Sequence, residues 1–377
     1  MGDNGRFEHT RLDNPGSQIR LLMLQSPRTT EDCVSVNLSL RVFDFTDESE
    51  TPPYTALSYT WGPPSPLHTV TLNGREFSIR DNLWQFLKTL NEWPLDDSSH
   101  LRERWFWIDQ LTIDQNDNEE KRHQVGIMDK IYNRAEKVLV WLGLPGKDSK
   151  HAEMYIKARN PSLGSRTTET KLNAEKLLKR PYWTRLWIMQ EVSLARSLLF
   201  MCGNWTFKWN DLTRLTGLDT TNEWVVSFYR AITVAMTKRP LHEVILNFHS
   251  PSGDIGSGFL QCEKRVDKIY GLMGVVIPCE RLGVDYTAPL ENVVMEIVRV
   301  VVKSVANDVS MMNRDSAEAA RSLKTVEDAI LASCKALKVD WPQGLDIHEE
   351  WERHLRAKMT LTDLVKLRVR NFYSWFR

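Results

Sequence analysis

The most constraining feature of this sequence is a strand, a helix and a second strand read in succession between residues 105 and 143. Trp105-Phe106-Trp107-Ile108 is a short run of large, β-favouring residues that delivers Asp109 and Gln110 at its C-terminal end. After Asp114-Gln115-Asn116, Asp117 and Glu120 have capping-box spacing, and Val125, Met128, Ile131, Tyr132 and Ala135 recur at helical spacing. Residues 138–142 are again apolar and stop at Gly143. Two such strands joined by a helix imply a right-handed crossover and hence a parallel pair. Open α/β sheets place ligands at the carboxyl edge of their strands, so Asp109 is a site candidate by position.

The flanking segments extend the sheet. Residues 1–17 are polar, rich in Gly and Asn, and read as a flexible tail, while 19–24 and 34–45 read as strands. Residues 54–61 read as a buried strand closed by Gly62-Pro63-Pro64, and Asn73-Gly74 joins 69–72 to 75–79 as a hairpin with a type I′ turn. Asp81 or Asn82 is placed to cap a helix with Leu83, Leu87 and Leu90 on one face. Residues 145–170 are polar and read as a loop, 171–178 as a short helix broken at Arg180-Pro181, 182–196 as a second helix, and 198–201 as a strand. Beyond Trp209 the patterns are helical, over 222–232, 241–248, 267–273, 290–302 and 316–337. The expected architecture is α/β: a mainly parallel sheet flanked by helices over 18–215, a helical extension over 216–345 that completes it, and a basic amphipathic helix over 346–377.

Composition excludes several functions. Lys plus Arg and Asp plus Glu both total 49, so no global field draws the chain to nucleic acid or anionic lipid. The five cysteines are odd in number and lack a CxxC pair, which predicts reduced thiols in a cytoplasmic protein and no structural zinc. His68, His100, His123 and His151 show no metal-ligand spacing, and no GxGxxG follows a strand, so neither a metal nor a resident cofactor is predicted. The first residues lack the apolar core of a signal peptide, and no apolar run approaches the roughly 20 residues that span a bilayer. Residues 353–377 carry seven Lys or Arg against one acid, Asp363, interleaved with apolar side chains. A C-terminal helix packed on the protein with its charges in water is preferred there over membrane or partner binding.

Tyr54-Thr55-Ala56-Leu57-Ser58-Tyr59-Thr60-Trp61-Gly62, followed by Trp107-Ile108-Asp109-Gln110-Leu111-Thr112-Ile113-Asp114-Gln115, resembles the paired signature of the fungal HET (heterokaryon incompatibility) domain. The resemblance continues through 124–132, 138–143, 180–192 and Cys202-Gly203, and weakly through 265–274 and Asp285-Tyr286. The sequence departs from the family at Gln110-Leu111-Thr112, where small residues and a cysteine are usual. The resemblance implies an effector of fungal innate immunity whose activation, by self-association or an upstream receptor, leads to programmed cell death. The HET domain is in turn similar to the TIR domain, a flavodoxin-like α/β module that cleaves NAD in some members and only assembles signalling complexes in others. On that mapping Glu191 matches the catalytic glutamate of an NAD hydrolase, with NAD as substrate. Tyr59, Trp61 and Trp187 would then stack on the adenine or nicotinamide ring, and Asp109 would bind ribose hydroxyls.

Read from the residues alone, Glu191 has two explanations. Trp183, Trp187, Glu191 and Leu194 would share one face of a helix over 182–196, which puts a carboxylate on an apolar stripe. Such a group needs an ion-pair partner, for which Arg185 and Arg265 are candidates, or a function that justifies its burial. Packing in the core is likewise the ordinary role of each aromatic.

Overall fold

Nine strands form one sheet in the first of the chain's two units, residues 1–226. The computed structural model describes residues 5–25, 29–30, 33–47, 50–93, 101, 104–157, 168–216, 232, 235–250, 260–311 and 316–356. The strands are β1 (Gln18–Leu24), β2 (Asn37–Asp44), β3 (Tyr54–Tyr59), β4 (Leu67–Leu72), β5 (Arg75–Arg80), β6 (Trp105–Trp107), β7 (Lys137–Trp141), β8 (Leu198–Cys202) and β9 (Trp205–Lys208). Their order across the sheet is β9-β8-β7-β3-β6-β1-β2-β4-β5.

The heart of the sheet, β8-β7-β3-β6, is parallel, with Tyr54 opposite Trp105 and Thr55 opposite Lys137. All six residues of β3 are buried, as a strand covered on both faces requires. The sheet as a whole is mixed, which corrects the expectation of a mainly parallel one. β1 runs antiparallel to both β6 and β2, and the outer pairs β8-β9 and β4-β5 are antiparallel too. For the two outer pairs the cause is local, because a tight turn can join only antiparallel neighbours. Asn73 and Gly74 adopt φ of 50° and 82°, as a type I′ turn demands, and Gly203 turns β8 into β9 at φ 54°.

Helices position the edge of this sheet. In α1 (Asp81–Asn91), Phe86 meets Phe106 and Trp141 edge-on at 6.1 and 5.6 Å. Neither Asp81 nor Asn82 caps it, since Arg80 is the N-cap residue and makes no side-chain cap bond. Asn82 instead donates to the Thr60 carbonyl at 2.5 Å and accepts from Trp141 Nε1 at 3.0 Å, which ties α1 to the carboxyl ends of β3 and β7. The crossover from β6 to β7 contains α2 (Asp109–Thr112), α3 (Asn118–Gly126) and α4 (Met128–Arg134). Asp117 caps α3 as its spacing suggested, but Glu120 does not close the box. Glu120 turns to the buried Arg20 of β1, with contacts of 2.5 and 2.9 Å, and Arg20 also donates to the carbonyls of Thr10 and Thr112.

Composition suggested a loose tail before β1, yet residues 5–17 are tied down. Phe7 N donates to Glu76 O at 2.8 Å, His9 Nε2 meets Leu111 O at 2.8 Å, and Leu12 is buried. The polar stretch read as a loop over 145–170 contains α5 (Lys147–Lys157), whose buried residues are only Ser149 and Ala152. So small an apolar face explains why periodicity did not reveal it. α6 (Thr168–Leu177), α7 (Ile188–Ser193) and α8 (Trp209–Thr216) complete the helices of this unit that have described residues.

The second unit, residues 227–377, is helical in its described residues, as the 3.6-residue patterns implied. It contains α9 (Leu241–His249), α10 (Asp267–Tyr270), α11 (Leu290–Met311), α12 (Ser316–Leu337) and α13 (Ile347–Arg356), and Trp351 of α13 is buried. Most of the helix read at 222–232 and the basic stretch 357–377 lie outside the described residues. Among the described residues, no helix is long and apolar enough to cross a membrane.

Candidate functional site

The carboxyl ends of β3 and β6 converge on one polar cluster. Asp109 follows β6 and opens α2, where its Oδ1 accepts the Gln110 backbone N–H at 2.7 Å. Its other oxygen accepts from Trp61 Nε1, in the loop after β3, at 2.7 Å. Arg80 lies over the Trp61 ring at 5.0 Å, a cation–π contact that fixes the indole. Tyr59, the last residue of β3, is buried and donates to Gln110 Oε1 at 3.4 Å. Three of the predicted residues, Tyr59, Trp61 and Asp109, therefore meet at one sheet edge. Trp61 is half-buried, whereas Tyr59 is enclosed.

Glu191 enters this cluster through a break in the chain. The helix expected over 182–196 is not continuous: Pro181–Thr184 forms a 3-10 turn, Arg185 is extended at φ −73° and ψ 134°, and α7 starts only at Ile188. The break takes Trp183 out of the aromatic stripe, whereas Trp187, Glu191 and Leu194 stay at helical spacing, with Glu191 N donating to Trp187 O at 3.2 Å. Trp183 is fully buried in the 3-10 turn and donates Nε1 to Leu177 O at 2.8 Å, while Trp187 is the half-buried N-cap residue of α7. The break has a physical consequence. On an unbroken helix, residues six apart point roughly 120° away from each other and sit about 9 Å apart along the axis. With Arg185 extended, its two terminal nitrogens reach Glu191 instead, Nη1 to Oε2 at 3.1 Å and Nη2 to Oε1 at 3.2 Å.

Glu191 also accepts a short hydrogen bond from Ser58 Oγ of β3. Ser58 Oγ lies 2.7 Å from the Tyr182 hydroxyl. Because the Ser58 hydrogen goes to the carboxylate, Tyr182 is the donor to Ser58. Burial lifts Glu191 above the ordinary glutamate range, against the opposing pull of Arg185 and Ser58 and with a further push from Asp109. Burial likewise lifts Asp109, opposed by Trp61 and Arg185. Burial works against the charge on Arg185, but Glu191, Tyr182 and Asp109 outweigh it and hold the guanidinium more firmly protonated. One cation thus serves two carboxylates, Glu191 buried and Asp109 half-buried, and the arrangement suits the stabilisation of a developing positive charge. The neighbouring Arg180, paired to Asp148 at 2.7 and 3.0 Å and donating to the carbonyls of Leu142 and Leu144, fixes the loop after β7.

Sequence reasoning named Arg185 only as one of two ion-pair candidates for Glu191, placed Ser58 on its strand without a partner, and gave Tyr182 no role. The available signal was Arg180-Pro181, since a chain restarting after proline need not continue as α-helix.

The structure is thus an α/β protein with a polar cluster at the carboxyl edge of its parallel strands, the edge at which open α/β sheets place their ligands. Residues 54–191 match the family model described as heterokaryon incompatibility protein (HET), a match that runs from the first residue of β3 to Glu191. The chain is also similar to heterokaryon incompatibility protein 6, OR allele, of Neurospora crassa, with 29% identity over 244 residues, covering 52% of this chain and 35% of that relative. It therefore spans about a third of that relative's length. No solved structure matches the chain.

Proposed function

We propose that this chain acts in heterokaryon incompatibility as a cell-death effector, and that Glu191 is the carboxylate that cleaves the nicotinamide N-glycosidic bond of NAD(+). The observation that carries this reading is a buried carboxylate, oriented by Ser58 and Arg185, at the carboxyl edge of parallel strands inside the segment that matches the HET family model. When the C1′–N bond breaks, its electron pair moves to the nicotinamide nitrogen and cancels the ring's positive charge. Positive charge then develops on the ribose, and a carboxylate beside it lowers that barrier without a leaving-group acid. Water adds its oxygen to C1′ and releases a proton, giving ADP-ribose and nicotinamide. Asp109 holds ribose hydroxyls in this reading, and Trp61 and Trp187 offer ring faces.

The test is purified Glu191→Gln, assayed for melting temperature and for NAD(+) loss on the same sample. Retained folding with abolished NAD(+) loss is the expected result, and a folded variant that consumes NAD(+) at the unmutated rate refutes the role of Glu191. One observation favours a second reading, a non-enzymatic module that signals by assembly: Glu191 is covered by Arg185 in this structure. Unchanged killing by Glu191→Gln, without NAD(+) loss from the unmutated protein either, would select that reading.

A further inference from the structure

The Glu191 side chain is 3% exposed and that of Arg185 is 16% exposed, so Arg185 is the member of the pair nearer solvent. Among the described residues the Arg185 side chain hydrogen-bonds to Glu191 and not to the surrounding backbone. Its own backbone is an extended link between a 3-10 turn and α7. Glu191, by contrast, keeps a second support, the Tyr182 to Ser58 to Glu191 chain of hydroxyl donors. If Arg185 swings outward, the carboxylate stays oriented.

A planar guanidinium that grips a carboxylate with two parallel N–H donors presents the same geometry to a phosphate. We infer that Arg185 is an anion-operated latch on Glu191: a phosphate group of the incoming ligand takes the guanidinium fork, draws it outward and uncovers the carboxylate. The inference rests on the reading of Glu191 as the reactive carboxylate and narrows its substrate class. The site takes nucleotides that carry a pyrophosphate bridge and rejects the corresponding nucleosides, which cannot open the latch. In the resting protein carboxylate and ligand compete for one fork, so removing the charge of Glu191 strengthens ligand binding.

The experiment measures binding of ADP-ribose, inorganic pyrophosphate and adenosine to the full chain by calorimetry, with folding of each variant checked by its melting curve. The proteins are wild type, Glu191→Gln and the double variant Glu191→Gln/Arg185→Met, in which no buried carboxylate is stranded. ADP-ribose is expected to bind Glu191→Gln at least tenfold more tightly than wild type and to lose that gain in the double variant. Pyrophosphate should follow the same order more weakly, and adenosine should bind all three alike. Equal affinity of ADP-ribose for Glu191→Gln and the double variant overturns the latch, as does adenosine binding as tightly as ADP-ribose. Pyrophosphate binding that ignores Arg185 counts against it as well. These readouts need no turnover, so an intact binding pattern without NAD(+) loss leaves the latch standing while the hydrolase reading falls. NAD(+) turnover with an unchanged KM in Arg185→Lys has the opposite effect.

Discussion

Removing one or the other partner of the Arg185–Glu191 pair should have unequal costs, and the inequality follows from which of the two reaches water. Arg185→Met leaves a carboxylate that is 3% exposed, with Ser58 as its remaining donor and Asp109 nearby. Stranding a buried charge in this way typically costs about 3 to 5 kcal/mol. Glu191→Gln leaves an arginine whose side chain is already partly exposed, and the new amide oxygen still accepts one of its hydrogen bonds. Its cost should be smaller, about 1 to 3 kcal/mol. For a unit of this size each kcal/mol moves the melting temperature by roughly 2 to 4 °C, so Arg185→Met should melt about 6 to 20 °C lower and Glu191→Gln about 2 to 12 °C lower. The double variant should melt above Arg185→Met, because no buried charge is left alone. Scanning calorimetry on the four proteins measures the cycle. If Glu191→Gln is at least as destabilised as Arg185→Met, the guanidinium is not the outer member of the pair, and the latch loses its physical basis.

Three further outcomes follow from other buried groups. Arg20→Met strands Glu120, whose side chain is 3% exposed, and frees the carbonyls of Thr10 and Thr112, so it should cost at least about 3 to 5 kcal/mol; a loss below 1 kcal/mol by urea denaturation would contradict the pairing. Burial depresses His249 to about 4 from 6.5, so the unfolded chain binds more protons between those values, and the contribution is present above pH 6.5 and lost as pH falls towards 4. Wild type should lose on the order of 3 kcal/mol relative to His249→Gln over that window, and parallel stability curves for the two proteins would refute the assignment. Trp351→Ala should cost about 3 to 5 kcal/mol if α13 docks through its buried ring, whereas an unchanged melting curve would show that the helix is dispensable.

The parallel heart of the fold was legible because β3, β6 and β7 carry their own local signals. Each is a short apolar run closed by glycine or by an acidic helix start, and a helix between two such runs leaves little topological choice. The direction of β1 was not legible, since a long connection sets it and no periodicity records it. α5 escaped because its buried face is too small, and the tail before β1 escaped because it is held by single contacts of Phe7, His9 and Leu12. At the site, Asp109, Trp61 and Tyr59 could be placed from strand ends alone. The geometry of Glu191 could not, because an aromatic pattern at helical spacing ran straight through a break that only Arg180-Pro181 announced.

The composition of β3 points to why the cluster is charged at all. A central strand buried on both faces is ordinarily aliphatic, yet β3 holds Thr55 and Ser58 in its interior. Thr55 Oγ1 has no hydrogen-bond partner among the described residues, whereas Ser58 is bonded to both Tyr182 and Glu191. The polar burial at Ser58 is therefore compensated only by groups that are themselves buried, and each is satisfied only while the others are present. Replacing a buried ion pair by well-packed apolar residues is often neutral or stabilising, so stability alone gives little reason for two carboxylates and an arginine at this point. The position supplies the missing reason. The cluster lies where parallel strands end, where half-buried Trp61 borders it, and where Arg185, the more exposed member of the pair, is bonded to the carboxylate. That is the arrangement expected of a site kept closed until an anionic ligand opens it.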